Sequence, residues 1–222
     1  YKDTNIKIEE AYQKGIDYVK VLLFNDTDKV IPKRLEEDLL NFNTYGLNDF
    51  WTIYQTNPQK NITYDYELQI KFNNILISPE QINEKEIIKE KQIKDGYKYT
   101  FDDNGNVAKD SLGNDIKVDN FKTVRCTFYR FTQHKDVQIS GTVIYYDLNT
   151  QQQINSYPLT SGYVFEHQYA TYSGDKRALD NNFLKLITLK QVPFPTSEQM
   201  IYDAGENLKN NIKKILIKYK LN

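Results

Sequence analysis

The sequence is poor in residues that cross-link a chain or hold a metal. One of its 222 residues is Cys and two are His. Cys126, His134 and His167 stand too far apart in the chain to suggest an internal disulfide or a Cys/His zinc cage, so no cofactor or metal is expected. Neither sign of charge is in excess: 29 Lys and Arg stand against 30 Asp and Glu, a formal net charge of −1. That balance offers no electrostatic footprint for nucleic acid or an anionic membrane surface. No apolar run approaches the roughly 20 residues that span a bilayer. A Gly-x-Ser-x-Gly elbow and a Gly-rich phosphate loop are both missing, which removes two common catalytic frameworks. No internal repeat or low-complexity linker is seen.

Aromatic residues are abundant. The 18 Tyr and 11 Phe bury large areas while Tyr scores as polar, so a mean hydropathy of −0.69 still describes a folding chain. Its length suits one large domain or two small ones, with a core that needs no staple. The chain starts at Tyr1, not Met, as a trimmed or processed precursor would. Asn25-Asp26-Thr27 and Asn61-Ile62-Thr63 match the glycosylation triplet, a pattern short enough to arise by chance in an Asn-rich chain.

Periodicity divides the chain near Pro58. Before it, Ile8, Ala11, Tyr12, Val19, Leu22 and Leu23 recur at near-helical spacing and predict a helix from Ile6 to Leu23. Asn25-Asp26-Thr27-Asp28 breaks it, and Pro32 suits the first turn of a second helix carrying Leu35, Leu39, Leu40 and Phe42. A third helix is expected after Asn48-Asp49, capped by Asn48, with Phe50, Trp51 and Tyr54 burying the single Trp against the second helix. After Pro58, Ile62, Tyr64, Tyr66, Leu68, Ile70 and Phe72 alternate with polar residues. That pattern predicts a strand with one packed and one wet face, in an antiparallel or mixed sheet.

Further along, Lys85–Lys94 reads as a solvated strand face. Tyr97, Tyr99 and Phe101 lead into Asp103-Asn104-Gly105-Asn106, the turn of a β-hairpin, and a second turn at Leu112-Gly113-Asn114-Asp115 makes Lys94 to Val118 a projecting excursion with a mobile tip. Phe121–Phe131 and Val137–Leu148 predict two strands, closed by the Asp147-Leu148-Asn149-Thr150 turn. Ile154–Pro158 and Gly162–Tyr172 predict two more, with Phe165, His167 and Tyr169 on one face. Thr196 and Gln199 form a capping box that opens a helix bearing Met200, Ala204, Leu208, Ile212, Ile215 and Tyr219. Its stripe needs a surface to cover, and the packed face of the sheet is the large candidate. The expected architecture is α+β: an N-terminal helical segment over 1–58, then a sheet domain over 59–222 packed on the C-terminal helix, the two sharing one core.

Candidate chemistry is sparse. Asp102, Asp103, Asn104, Asn106 and Asp110 are calcium-type ligands, but an EF-hand register from Asp102 puts Val107 where Gly belongs and Gly113 where Glu belongs; they read as turn residues. Glu166 and His167, with Asp175, form the nearest approach to a general-base constellation and leave a hydrolase or carbohydrate-active enzyme open. The aromatics from Tyr163 to Tyr172 leave a small-ligand or glycan binder open. Cys126 reads as a small buried hydrophobe. Glu166, His167, Asp175, Lys176 and Arg177 are candidates for gripping a protein partner.

The run from Phe165 to Leu179, followed by Pro193-Phe194-Pro195 and the terminal helix, resembles envelope lipoproteins of Bacteroidota-type bacteria. From Asn57 onward, the Ile62–Phe72 strand, the strand ending in Asp147-Leu148-Asn149-Thr150 and the closing helix are similar in order to the periplasmic domain of curli-secretion and penicillin-binding-protein-activator lipoproteins. The chain departs from them by its charged Glu84–Val118 insertion and by lacking Gly after Thr150. The resemblance implies a non-enzymatic, outer-membrane-anchored envelope protein facing the periplasm. It would bind proteins in assembly or secretion and touch the membrane only through a lipidated Cys upstream of Tyr1.

Overall fold

A computed structural model of the chain describes residues 4–47 and 51–218, with all their side chains except those of 13, 43 and 44. In chain order the elements are α1 (Thr4–Gly15), β1 (Asp17–Asn25), α2 (Lys33–Leu40), a 3-10 turn (Phe42–Tyr45), β2 (Thr52–Gln55), β3 (Tyr66–Ile77), β4 (Gln81–Tyr99), β5 (Lys117–Asp147), β6 (Gln152–Gly174), a 3-10 turn (Lys176–Ala178), α3 (Asn181–Leu186) and α4 (Ser197–Lys218). The sheet is mixed: β1 runs parallel to β2 and β3, whereas β5 runs antiparallel to β3 and β4, and β6 pairs with β5. The fold is α+β, as its sequence pattern predicts. By contacts the chain divides into two compact units, one of Tyr1–Pro79, Lys135–Phe165 and Pro195–Asn222, the other of Glu80–His134 and Glu166–Phe194.

The first unit holds the larger core. The alternation expected of β3 is realised: Leu68, Ile70 and Phe72 are buried, and they cluster with Val19 and Val21 of β1, Val137, Ile139, Val143 and Tyr145 of β5, and Leu35 and Leu39 of α2. Helix α4 adds Met200, Ala204, Leu208, Ile212 and Leu216 to the same cluster, so its stripe covers the packed face of the sheet. Tyr219 lies outside the described residues. Only half of the capping box at its start forms. The Gln199 N–H donates to Thr196 Oγ1 at 3.1 Å, but the Gln199 side-chain amide turns to Asp203 Oδ1 at 2.7 Å instead of the cap backbone.

Two helical expectations are corrected here. The helix predicted over Ile6–Leu23 stops at Gly15, and Asp17–Asn25 is strand β1, paired on both sides with Val19 and Val21 at zero and 1% exposure. The apolar run Val21-Leu22-Leu23-Phe24 satisfies a helical count as well as a strand flanked on both sides, so its period could not arbitrate. The helix expected after Asn48-Asp49 is also replaced. Asn48, Asp49 and Phe50 lie outside the described residues, but Thr52–Gln55 is the edge strand β2. Tyr54 is buried, whereas Trp51 is 57% exposed beside Tyr12 of α1, their rings 6.1 Å apart.

The second unit is built on the β4–β5 ribbon, with Gln81 opposite His134 and Tyr99 opposite Lys117. Its smaller core joins Val124, Cys126 and Phe128 of β5 to Ala170, Ala178 and Leu179, with Ile87, Ile93, Phe183 and Leu184 packed against it. Phe128 and Phe183 meet edge to face at 4.7 Å. The strands predicted separately over Phe121–Phe131 and Val137–Leu148 are one 31-residue strand, and the next pair is one 23-residue strand. Along β5 the buried positions are even-numbered at Val124, Cys126 and Phe128 and odd-numbered from Gln133 to Tyr145. That change of phase is what makes the sequence read as two strands.

Candidate functional site

The candidate residues Glu166, His167, Asp175, Lys176 and Arg177 all fall in the second unit; Asp175 and Arg177 meet, but Glu166 and His167 are not brought to them. His167 and Asp175 are eight residues apart on and just beyond extended β6, about 25 Å at strand rise. Adjacent Glu166 and His167 point to opposite faces. Glu166 accepts a hydrogen bond from the Gln168 amide at 3.0 Å. His167 is a tether: its Nε2 lies 2.8 Å from the Lys190 carbonyl, which only accepts, so Nε2 carries the proton. Its ring stacks toward Tyr169 at 6.3 Å, and Tyr169 stacks on Phe131 at 5.0 Å. Next to it, fully buried Gln133 closes two bonds with the Val192 backbone, donating to its carbonyl at 2.8 Å and accepting from its N–H at 3.1 Å.

Asp175 serves the turn. One oxygen accepts the Arg177 backbone N–H at 3.0 Å and the guanidinium Nε at 2.9 Å, while the other takes the guanidinium fork. Those Arg177 hydrogen bonds hold the Asp175 carboxyl down at about 2. The pair is closed on itself, leaving Lys176 exposed beside it. Burial, then the charge of Asp175, push the Cys126 thiol above its ordinary range, the opposite of what a nucleophilic thiolate needs. Among the described residues no group of three or more His, Cys, Asp or Glu side chains is arranged to hold a metal.

At the hairpin tip the turn reading holds and a repeat emerges that the sequence reading missed. Asp-x-x-Gly-Asn occurs at Asp102 and again at Asp110. Asp102 Oδ1 accepts from Asn104 N and Asn106 N, and Asp110 Oδ1 accepts from Leu112 N and Asn114 N, all within 2.8–3.0 Å. Gly105 and Gly113 take φ values of +78° and +83° at matching places, where other residues are strained. The two loops are tied in a ring: Thr100 N donates to Ile116 O, Ile116 N to Ala108 O, and Ala108 N to Thr100 O. The tip is therefore cross-braced by its own backbone.

Between this tip and the core, β4 and β5 pair only with each other, because β6 ends at Gly174 against the Arg125 carbonyl. Two-stranded ribbons are marginal in water. Here Lys94 pairs with Asp119, Lys122 with Asp95 at 2.9 Å and Lys109 with Asp115 at 3.6 Å. Exposed pairs of this kind contribute at most about 1 kcal/mol each. Tyr97 and Tyr99 share one face of this stretch and Phe101 follows two residues on, just past the end of β4, at 55%, 38% and 66% exposure. Tyr97 and Tyr99 meet edge to face at 5.7 Å, with Lys117 Nζ over their rings at 4.5 and 5.3 Å. Leu112, at the apex of the second loop, is 84% exposed. The alternation Tyr97-Lys98-Tyr99-Thr100-Phe101 was visible in the sequence as strand pattern; its exposure was not.

The first unit has grooves of a different kind. One, about 580 Å³, is lined by Lys33, Glu36, Glu37, Asn41 and Thr56 beside Phe42 and Tyr54.

No family model matches the chain, and no curated protein matches it. Among solved structures, a crystal structure provisionally described as a neuraminyllactose-binding hemagglutinin homologue from Helicobacter pylori is similar over 91% of this chain and 86% of that one. The identity is 9% and the TM-score 0.36, values too low to carry an argument about fold or ligand.

Proposed function

We propose that this chain is a non-enzymatic protein-binding module of the cell envelope, and that it meets its partner on the Tyr97–Tyr99–Phe101 stretch of the ribbon. The observation that carries the reading is that row of aromatics, exposed on a braced ribbon whose tip also exposes Leu112. Soluble chains seldom leave large adjoining apolar groups in water unless something covers them, and Tyr and Phe are enriched where proteins meet. Glu166 and Lys176 supply polar groups elsewhere on the same unit. The envelope assignment rests on the sequence resemblance, with a lipidated Cys upstream of Tyr1 anchoring the chain in the outer membrane, facing the periplasm.

Photo-crosslinking in the native cell tests the binding face. Benzoylphenylalanine at Phe101 or Leu112 is expected to give a discrete protein adduct, and at Lys213 of α4 none. A chain that is present at normal levels and gives no adduct from either ribbon position would overturn the reading. Mass spectrometry of the native N-terminus tests the anchor: an acylated Cys is expected, and an unprocessed chain in the cytoplasm would overturn the envelope assignment.

A further inference from the structure

Two lysines of the outer ribbon, Lys98 and Lys117, have no ion-pair partner among the described residues, and of these only Lys117 is seated on aromatic rings. Lys94, Lys109 and Lys122 each sit on a carboxylate, respectively Asp119, Asp115 and Asp95. The Lys117 ammonium sits instead over two tyrosine rings, and Asp119, two residues along on its own face, is taken by Lys94. From the carboxylate-free Lys117 ammonium seated on Tyr97 and Tyr99, we infer that the ribbon recognises an extended protein segment carrying a carboxylate flanked by aromatic side chains. This rests on the protein-binding reading above and adds the partner's chemistry.

Three features converge on that ligand. The rings hold the ammonium in place, so little side-chain freedom is lost when a carboxylate meets it, and they keep water from one side of the pair. Tyr97 and Tyr99 also hold Lys117 above the ordinary lysine range. Tyr97, Tyr99 and Phe101 repeat every second residue, about 7 Å apart, which is the side-chain repeat of a second extended chain. A carboxylate at one position of such a chain and aromatic residues two positions to either side would match this face. A polyanion is a poor fit, because residues 94–121 hold four Lys against six Asp. With Lys122 counted the balance is still −1, so the ribbon offers no concentrated positive charge to a nucleic acid or an anionic bilayer, and Lys117 is the cation seated on the Tyr97 and Tyr99 rings for a single acid.

The test uses the whole chain and two blocked, fluorescently labelled peptides, Thr-Phe-Thr-Glu-Thr-Phe-Thr and its Gln counterpart, followed by anisotropy. The Glu peptide is expected to bind about ten-fold more tightly, with the preference weakening as salt is raised. Lys117→Gln should abolish the preference while Lys117→Arg keeps it; circular dichroism melts check that both variants are folded. Equal binding of the two peptides, a preference that survives Lys117→Gln, or tighter binding to phosphatidylglycerol vesicles than to the Glu peptide would each overturn the inference. If neither peptide binds although Phe101 crosslinks to a protein, the acidic chemistry is wrong and the binding face stands. If Phe101 and Leu112 give no adduct, the binding face itself falls.

Discussion

Asp175 is a candidate functional residue whose structural duty is now specific, and its titration gives that duty a pH signature. Its carboxyl is held at about 2 by Arg177, below the roughly 3.9 of an unfolded chain. A folded value below the unfolded one means that its stabilising contribution is complete above about pH 4 and is lost as pH falls through 2. Thermal melts from pH 2 to 7 are expected to show Asp175→Asn less stable than the parent at neutral pH, the gap closing toward pH 2. A gap independent of pH would contradict this. Gly141 makes a second residue-scale case. It faces Phe72 where the β3–β5 register shifts, and a methyl on it would run into the Lys71 carbonyl oxygen. Backbone in a paired strand yields little, so Gly141→Ala is expected to lower stability by about 1–3 kcal/mol or more, measured by urea unfolding. Neither role could be read in advance: the sequence shows an Asp two residues from an Arg and a Gly within an alternating run, and the consequence of each comes from what lies across from it.

Elements differ in how far their own residues specify them. Strand β3 and helix α4 were legible because each has one apolar face, so a period of 2 or 3.6 appears undiluted. Strand β1, flanked on both sides by partners, shows a blurred period and was misread as helix; β2, four residues long, is too short for any period to emerge. The extended stretch 190–192 has no period at all. It is held by side chains, His167 on the Lys190 carbonyl and Gln133 on both polar groups of Val192. Gln133→Leu, close in size but unable to bond, is expected to leave that N–H and carbonyl unpaired at a cost of about 1–3 kcal/mol per group that stays buried. Hydrogen exchange should show the Val192 amide losing protection; unchanged protection would mean that the Gln133 bonds do not hold this stretch.

On the scale of the whole molecule, the expectation is that folding and partner binding are separable. Tyr99 and Lys117 are register partners, so residues 100–116 can be replaced by Asn-Gly, the two-residue turn that suits a twisted ribbon. The first unit's core uses none of the deleted residues. The shortened chain should therefore keep the parent's main melting transition and, having lost Phe101 and Leu112 but kept Tyr99 and Lys117, give a weaker native adduct than the full chain when both are probed from a benzoylphenylalanine at position 97. An adduct that persists undiminished would move the binding face away from the tip. What the chain alone specifies about itself is local: alternation in β3, the stripe of α4, the Asp-x-x-Gly-Asn turns and the α+β class, because each depends on residues within a few positions of one another. Only folding in three dimensions could separate His167 from Asp175, since neighbours in a list become distant along an extended strand. The same step set Lys117 over Tyr97 and Tyr99, 20 and 18 positions earlier in the chain, because hairpin register, and not proximity in sequence, chooses which side chains face each other.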